Sequence, residues 1–143
     1  MIGFPKTKKV KKSTLKKKAW EIFSKYIRLR DCLLTTRTKE RGKCITCGRE
    51  YEFKSLQAGH CISGRHNSLL FDEMAVHAQC YYCNIQLGGN LAVYYRVINN
   101  MFGAGSYENL ELRDKMLVKI SPEGYEEIYS RYKQKYEELS NLS

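Results

Sequence analysis

The chain has 143 residues, 43% of them hydrophobic, and a formal net charge of +10. That length suits one domain with a modest core, and the apolar content excludes a disordered chain. No apolar run approaches the roughly 20 residues that span a bilayer, and the lysine-rich N-terminus lacks the apolar segment of a signal peptide, so the expected setting is a reducing cytoplasm, with no membrane partner.

The charge is segregated. Residues 1–30 carry nine Lys, two Arg and one Glu, whereas the rest balance at 14 basic and 14 acidic side chains. A basic segment on a neutral body predicts attraction to a polyanion, and phosphate contacts by Lys and Arg supply most non-specific DNA affinity. Residues 1–12 read as a basic flexible arm, because Pro5 and the crowd of Lys8, Lys9, Lys11 and Lys12 disfavour packing. Residues 13–143 read as a single domain.

Ser13 or Thr14 can cap a first helix. Leu15, Ala19, Ile22, Tyr26, Leu29 and Leu33 recur every three or four residues and form its apolar face. Lys16, Lys17, Lys18 and Arg28 lie mostly off that face, and lysines in the first turn oppose the helix dipole. Contact with a DNA backbone is a reason to keep them there. Thr35 to Gly42 reads as a loop. Tyr51 and Phe53 alternate with charged residues as in a short strand. Ser55 to Ser63 and Val76 to Gln79 read as two further extended stretches, with turn chemistry at Gly64-Arg65-His66-Asn67 between them. A helix starts near Cys83 and is interrupted by Gly88-Gly89. Asn90 caps the next helix, which Gly103 and Gly105 stop. C-terminal helices occupy about 106–140, the last opening at Ser121-Pro122-Glu123. Its stripe of Tyr125, Ile128, Tyr129, Tyr132 and Tyr136 is core by periodicity, or else a dimer seam or base-stacking surface.

Cys44-x-x-Cys47 and Cys80-x-x-Cys83 place two sulfurs each on a tight turn, 32 residues apart. Four thiolates match the tetrahedral preference of Zn²⁺ and leave no open position, so such a zinc is structural. It would clamp the ends of the segment between the pairs. Cys32 and Cys61 are left over and read as small buried apolar residues. The segment between the knuckles contains His60 on an extended stretch. Asn84 follows the last cysteine, where its side-chain oxygen can coordinate a hard cation.

Gln57-Ala58-Gly59-His60, Val76-His77-Ala78-Gln79-Cys80, Cys83-Asn84 and Gly89-Asn90-Leu91 with Tyr95-Arg96 resemble the His-Me finger (HNH-type, ββα-metal) endonucleases. More narrowly they resemble the phage NinG/Rap recombination family, and more distantly the endonuclease VII type of Holliday-junction resolvase. The likeness spans about Trp20 to Leu110. It implies an α+β fold, with a zinc-braced ββα-metal core at about 43–102 flanked by N-terminal and C-terminal helices. It implies a metal-dependent endonuclease cutting branched recombination DNA such as Holliday junctions or D-loops, working as a homodimer. His60 would be the general base, and Asn84 with Gln57 would hold a catalytic Mg²⁺ or Mn²⁺. Gln57 stands where the endonuclease VII pattern has Asp, and Asp72, Glu73 or His77 could supply a missing ligand. Lys8, Lys9, Lys11, Lys12, Lys16, Lys17, Lys18, Arg28 and Arg65 are the expected DNA contacts. The alternatives are a catalytically inactive zinc-stabilised DNA-binding module and a sequence-specific HNH duplex nuclease.

Overall fold

The computed structural model describes residues 9–142, so Lys8 and most of the expected arm lie outside the described residues. The longest element is α1 (Lys12–Thr36), which buries Ala19, Phe23, Tyr26, Ile27 and Leu29. Those residues fall on one helical face, as their spacing requires. The helix starts too early for a Ser13 or Thr14 cap. Lys11 is the extended residue before it, and its carbonyl takes the amides of Thr14 and Leu15. With no acid in the first turn, the lysines there face the positive end of the dipole unrelieved. The helix also runs on through Thr36, into what reads as a loop, until Arg37 at φ 62° turns the chain.

Strands β1 (Arg41–Lys43) and β2 (Glu50–Glu52) pair antiparallel around the first cysteine knuckle. Gly42 lies so close to α1 that a Cβ would sit 2.7 Å from Cys32 Sγ. Phe53, expected on the strand, instead opens a 3-10 turn at Phe53–Ser55. Strands β3 (Leu56–His60) and β4 (Val76–Cys80) form a second antiparallel ribbon, with Gln57 opposite Gln79, Gly59 opposite His77 and His60 opposite Val76. The short helix α2 (Asn67–Leu70) lies between them.

Alternation divides this ribbon into two faces. Leu56, Ala58, Val76 and Ala78 pack in the apolar clusters that contain Phe23, Ile27 and Cys32 of α1. The other face carries Gln57, Gly59, His77 and Gln79. It is covered by a one-turn π-helical segment, Tyr82–Gln86, and by α3 (Leu91–Phe102), whose Tyr94 hydroxyl donates to the Gly59 carbonyl at 2.7 Å. Gly88 (φ 61°) and Gly89 (φ 101°) make the break between the π turn and α3, a backbone path that side chains other than glycine rarely take.

Helix α4 (Ser106–Asp114) and helix α5 (Pro122–Ser140) complete the chain, and the Ser121 hydroxyl caps α5 by accepting the Gly124 amide at 3.0 Å. Helix α5 lies along α1, with the Tyr132 ring 4.7 Å from Phe23 and 5.3 Å from Tyr26. Tyr125 and Tyr132 are buried, so these members of the tyrosine stripe are interior packing and are not free to form a dimer seam. Glu73, just before β4, accepts hydrogen bonds from Tyr26, Tyr132 and Lys135, while Arg30 of α1 donates to the carbonyls of Glu73 and Val76. The fold is α+β, with helices flanking two small ribbons. Cys32 and Cys61 are fully buried, and burial pushes their thiols up to about 11 and about 12. Among the described residues no helix is long and apolar enough to cross a membrane.

Candidate metal centre and phosphate groove

The two cysteine pairs meet. The sulfurs of Cys44, Cys47, Cys80 and Cys83 all lie within 4.8 Å of one another, and Cys47 Sγ is 3.9 Å from Cys80 Sγ. A tetrahedral zinc with bonds of about 2.3 Å needs sulfurs about 3.8 Å apart, so the donor set fits a structural zinc. Polar hydrogens already point at the thiols. The Thr46 hydroxyl is 3.3 Å from Cys44 Sγ, the Cys83 amide donates to Cys80 Sγ at 3.4 Å, and the Asn90 side chain donates to Cys83 Sγ at 3.7 Å. Burial raises the Cys44 thiol, but the amides of Cys47, Cys80 and Thr46 and the Thr46 hydroxyl outweigh it and bring Cys44 down to about 6. Donors of this kind favour the thiolate that a metal requires.

The π turn after the second knuckle carries Asn84. Its wider loop closes where the Leu87 amide reaches the Tyr82 carbonyl at 2.8 Å, and such turns recur at functional sites. Asn84 Nδ2 donates to Gln57 Oε1 at 2.8 Å. This pair lies in a groove of 370 Å³ along β3, walled by Trp20, Ser24 and Arg28 from α1 and by Arg65 from the turn after β3. Trp20, Ser24 and Arg28 stand four residues apart, one helical row. Arg65 stacks its guanidinium 4.6 Å from the Trp20 ring centroid. The groove therefore joins two cations to two neutral amides, a composition suited to a phosphate and a hard cation.

His60 is placed differently from the amide pair. It is three residues from Gln57, so alternation turns it to the opposite face, toward α1. Its ring stacks on Trp20 at 5.2 Å with an interplanar angle of 21°, and Nε2 lies 3.2 Å from the Leu70 carbonyl. A carbonyl only accepts, so Nε2 carries the hydrogen and Nδ1 keeps the lone pair. Burial pulls the imidazole down to about 4, with the Leu70 carbonyl opposing and Arg65 reinforcing. No hydrogen bond links His60 to Gln57 or Asn84 among the described residues. The histidine reaches the groove through Trp20, which lines it.

The alternative ligands are engaged elsewhere. Asp72 caps the amides of Met74 and Ala75 and pairs with Arg113. Glu73 is held by the tyrosines and Lys135. His77 is buried, with Nδ1 3.4 Å from the Tyr94 hydroxyl and its ring 6.0 Å from Phe102, and burial draws it down to about 4. Gln57 alone of the named candidates hydrogen-bonds Asn84. Of the expected DNA contacts, Lys9, Lys11, Lys12, Lys17, Lys18 and Arg65 are exposed, Lys16 donates to Asn67 at 3.0 Å, and Arg28 and Arg65 enter the groove. Lys16 continues the four-residue spacing of Trp20, Ser24 and Arg28, and Lys17 lies beside it one turn from Trp20.

Two contributors were missed from sequence. Trp20 is the only tryptophan in the chain, and its four-residue spacing from Ser24 and Arg28 was a readable signal. Gln79, fully buried on the amide face, stood only as part of the Val76–Cys80 motif, where nothing local marked its side chain as a contributor.

A family model described as Bacteriophage Lambda NinG protein matches residues 5–141. No curated protein and no solved structure matches the chain. The match covers nearly the whole chain, so the chain belongs to the NinG family, a family of phage recombination-related proteins.

Proposed function

We propose that this member of the NinG family is a metal-dependent endonuclease that cuts branched recombination DNA. The observation that carries the reading is the Gln57–Asn84 amide pair in a groove walled by Arg28 and Arg65, next to the tryptophan on which His60 stacks. Arg28 and Arg65 bind the phosphate oxygens on either side of the scissile bond. His60 Nδ1 takes a proton from the attacking water as the new P–O bond forms and the bond to the 3′ oxygen breaks, leaving a 5′ phosphate and a 3′ hydroxyl. The side-chain oxygens of Gln57 and Asn84 would hold a Mg²⁺ or Mn²⁺, which would supply charge stabilisation for the phosphoryl and leaving oxygens. The Leu70 carbonyl fixes the tautomer, and the low pKa of His60 keeps Nδ1 unprotonated at neutral pH. Because His60 and the amides lie on opposite faces of β3, the phosphodiester passes around the free edge of that strand, where Trp20 and Arg65 meet.

Beside the groove the π turn exposes Tyr81, Tyr82 and Ile85, apolar surfaces on which unpaired bases at a branch can stack. The lysines at the start of α1 extend the grip along the backbone. Two symmetric strands at a four-way junction call for two copies of the site, hence a homodimer; Tyr125 and Tyr132 of α5 are already packed, which leaves the exposed Tyr129 as the part of that stripe free for a seam.

The test is incubation of the zinc-loaded chain with a four-way junction and Mg²⁺ or Mn²⁺, with EDTA as control. His60→Ala and Asn84→Ala should each keep zinc, fold and junction binding and lose nicking. Cleavage retained by His60→Ala removes His60 from the mechanism. A second reading, a zinc-stabilised DNA-binding module without activity, is favoured by the neutral Gln57 and by the turn of His60 toward α1. Junction binding without nicking under any divalent ion supports it.

A further inference from the structure

Gln79 is fully buried in the middle of the amide face. Its Nε2 donates twice, to Thr46 Oγ1 at 3.1 Å and to the Gly89 carbonyl at 2.9 Å. The Gly89 carbonyl can only accept, so reversing the Gln79 amide would set oxygen against oxygen. The orientation is therefore fixed, and Oε1 must face Gly59. There it is buried and has no hydrogen-bond partner, a state that costs the full desolvation of the acceptor.

The place it faces is specific. A Cβ on Gly59 would lie 1.9 Å from Gln79 Oε1 and 3.1 Å from Asn84 Oδ1. Glycine leaves open the space that both oxygens border. Asn84 Nδ2 is meanwhile committed to Gln57 Oε1 at 2.8 Å. This is the wrong arrangement for holding a cation, because one oxygen of the pair is occupied by a hydrogen and the other is turned inward.

We infer that Gln79 is a positioning residue whose Oε1 receives Asn84 Nδ2 when Asn84 Oδ1 is presented to a divalent cation in the groove. A half-turn of the Asn84 amide gives the buried acceptor its missing donor. The same turn releases Gln57 Oε1 and sets it beside Asn84 Oδ1, facing the groove. With Gln57 Oε1 kept facing the groove, two adjacent amide oxygens repel unless a cation lies between them, so cation binding favours the turn that satisfies Gln79. Through Thr46, which touches Cys44 Sγ, the same glutamine is anchored to the cysteine cluster. The inference rests on the groove being a cation seat, as proposed above.

The experiment uses the full zinc-loaded chain. Free Mn²⁺ is followed by electron paramagnetic resonance for the wild type, Asn84→Ala and Gln79→Met, with zinc content and circular dichroism as checks on folding. The wild type should bind Mn²⁺, Asn84→Ala should lose it, and Gln79→Met should bind about tenfold more weakly with zinc and helicity unchanged, the loss expected for one buried hydrogen bond. Independently, hydrogen exchange of the Asn84 side-chain amide in the wild type should slow when Mg²⁺ is added, because Nδ2 moves onto a buried acceptor. Gln79→Met binding Mn²⁺ like the wild type overturns the inference and leaves the groove reading standing. A wild type that binds no Mn²⁺ overturns both. Where Gln79→Met fails to fold, the exchange measurement decides, and exchange that does not slow with Mg²⁺ overturns the inference.

Discussion

The β3–β4 ribbon turns Ala58, Val76 and Ala78 toward α1, and Gln57, Gly59, His77 and Gln79 toward the π turn and α3. The first face is closed by hydrocarbon, whose stabilisation scales with buried area and tolerates small shifts. The second is closed by amides and carbonyls, each needing a partner at a set distance and angle. Two faces of the same strands therefore differ in what disturbs them. Loss of a methyl group weakens the first gradually, while a displacement of half an ångström on the second leaves buried polar atoms orphaned.

Metal removal should break the comparison most widely. Structural zinc sites are worth on the order of 10 kcal/mol, and the hydrogen bonds that tie the cysteine cluster to the amide face run through Thr46 and Asn90. Chelation of the zinc-loaded chain should abolish protection in residues 43–90 while the α1–α5 packing keeps helical circular dichroism. Collapse of both together would show that the faces are not separable.

Acid should come next, because each face carries one histidine withdrawn from water, half-buried His60 or buried His77, brought down to about 4. An unfolded histidine titrates near 6.5. Between those values the unfolded chain binds more protons, so stability rises with pH. The contribution is complete above about 6.5 and is lost as pH falls toward about 4, on the order of 3 kcal/mol for each histidine. Urea midpoints at a series of pH values measure this, and midpoints independent of pH through that window would contradict the withdrawal of both rings from water.

Substitution sharpens the contrast. Gly59→Ala puts a methyl group 1.9 Å from Gln79 Oε1 and should cost about 2–4 kcal/mol in chemical denaturation. Its neighbour change on the hydrocarbon face, Ala58→Gly, should cost about 1 kcal/mol. The smallest effect on stability is expected for exposed Arg65→Ala, within about 0.5 kcal/mol. The same variant should flatten the salt dependence of junction binding by about one in log–log slope if Arg65 meets a phosphate.

The hydrocarbon side was the legible one. The stripe from Ala19 to Leu29 repeats at helical spacing, and burial follows from repetition alone. Ser121-Pro122 marked the start of α5 by local chemistry, and paired cysteines announced a four-sulfur cluster. The amide side was only half legible. Gln57 and Asn84 were named, and they do meet. The π turn that delivers Asn84 has no sequence period of its own, since it is imposed by the knuckle before it and the two glycines after it. The division between Gln57 and His60 could have been read from strand alternation, because residues three apart on a strand face opposite ways. The partners of Asp72, Glu73 and His77 come from α1, α3, α4 and α5, at separations no local pattern encodes. The tyrosine stripe of α5 read as core by its period, and Tyr125 and Tyr132 are buried, whereas Tyr129 is exposed.

Glu73 has a consequence for the order in which the protein can be made. Its carboxylate is grasped by Tyr26 of the first helix and by Tyr132 and Lys135 of the last. A ribosome delivers α5 after every other element described, so the part of α1 that Tyr132 covers, at Phe23 and Tyr26, stays open after β3 and β4 have closed the rest. Long-range closure of that kind is slow compared with local pairing. Glu73 therefore gains its full set of partners only once α5 has been made, whereas every residue that walls the groove along β3 precedes that helix.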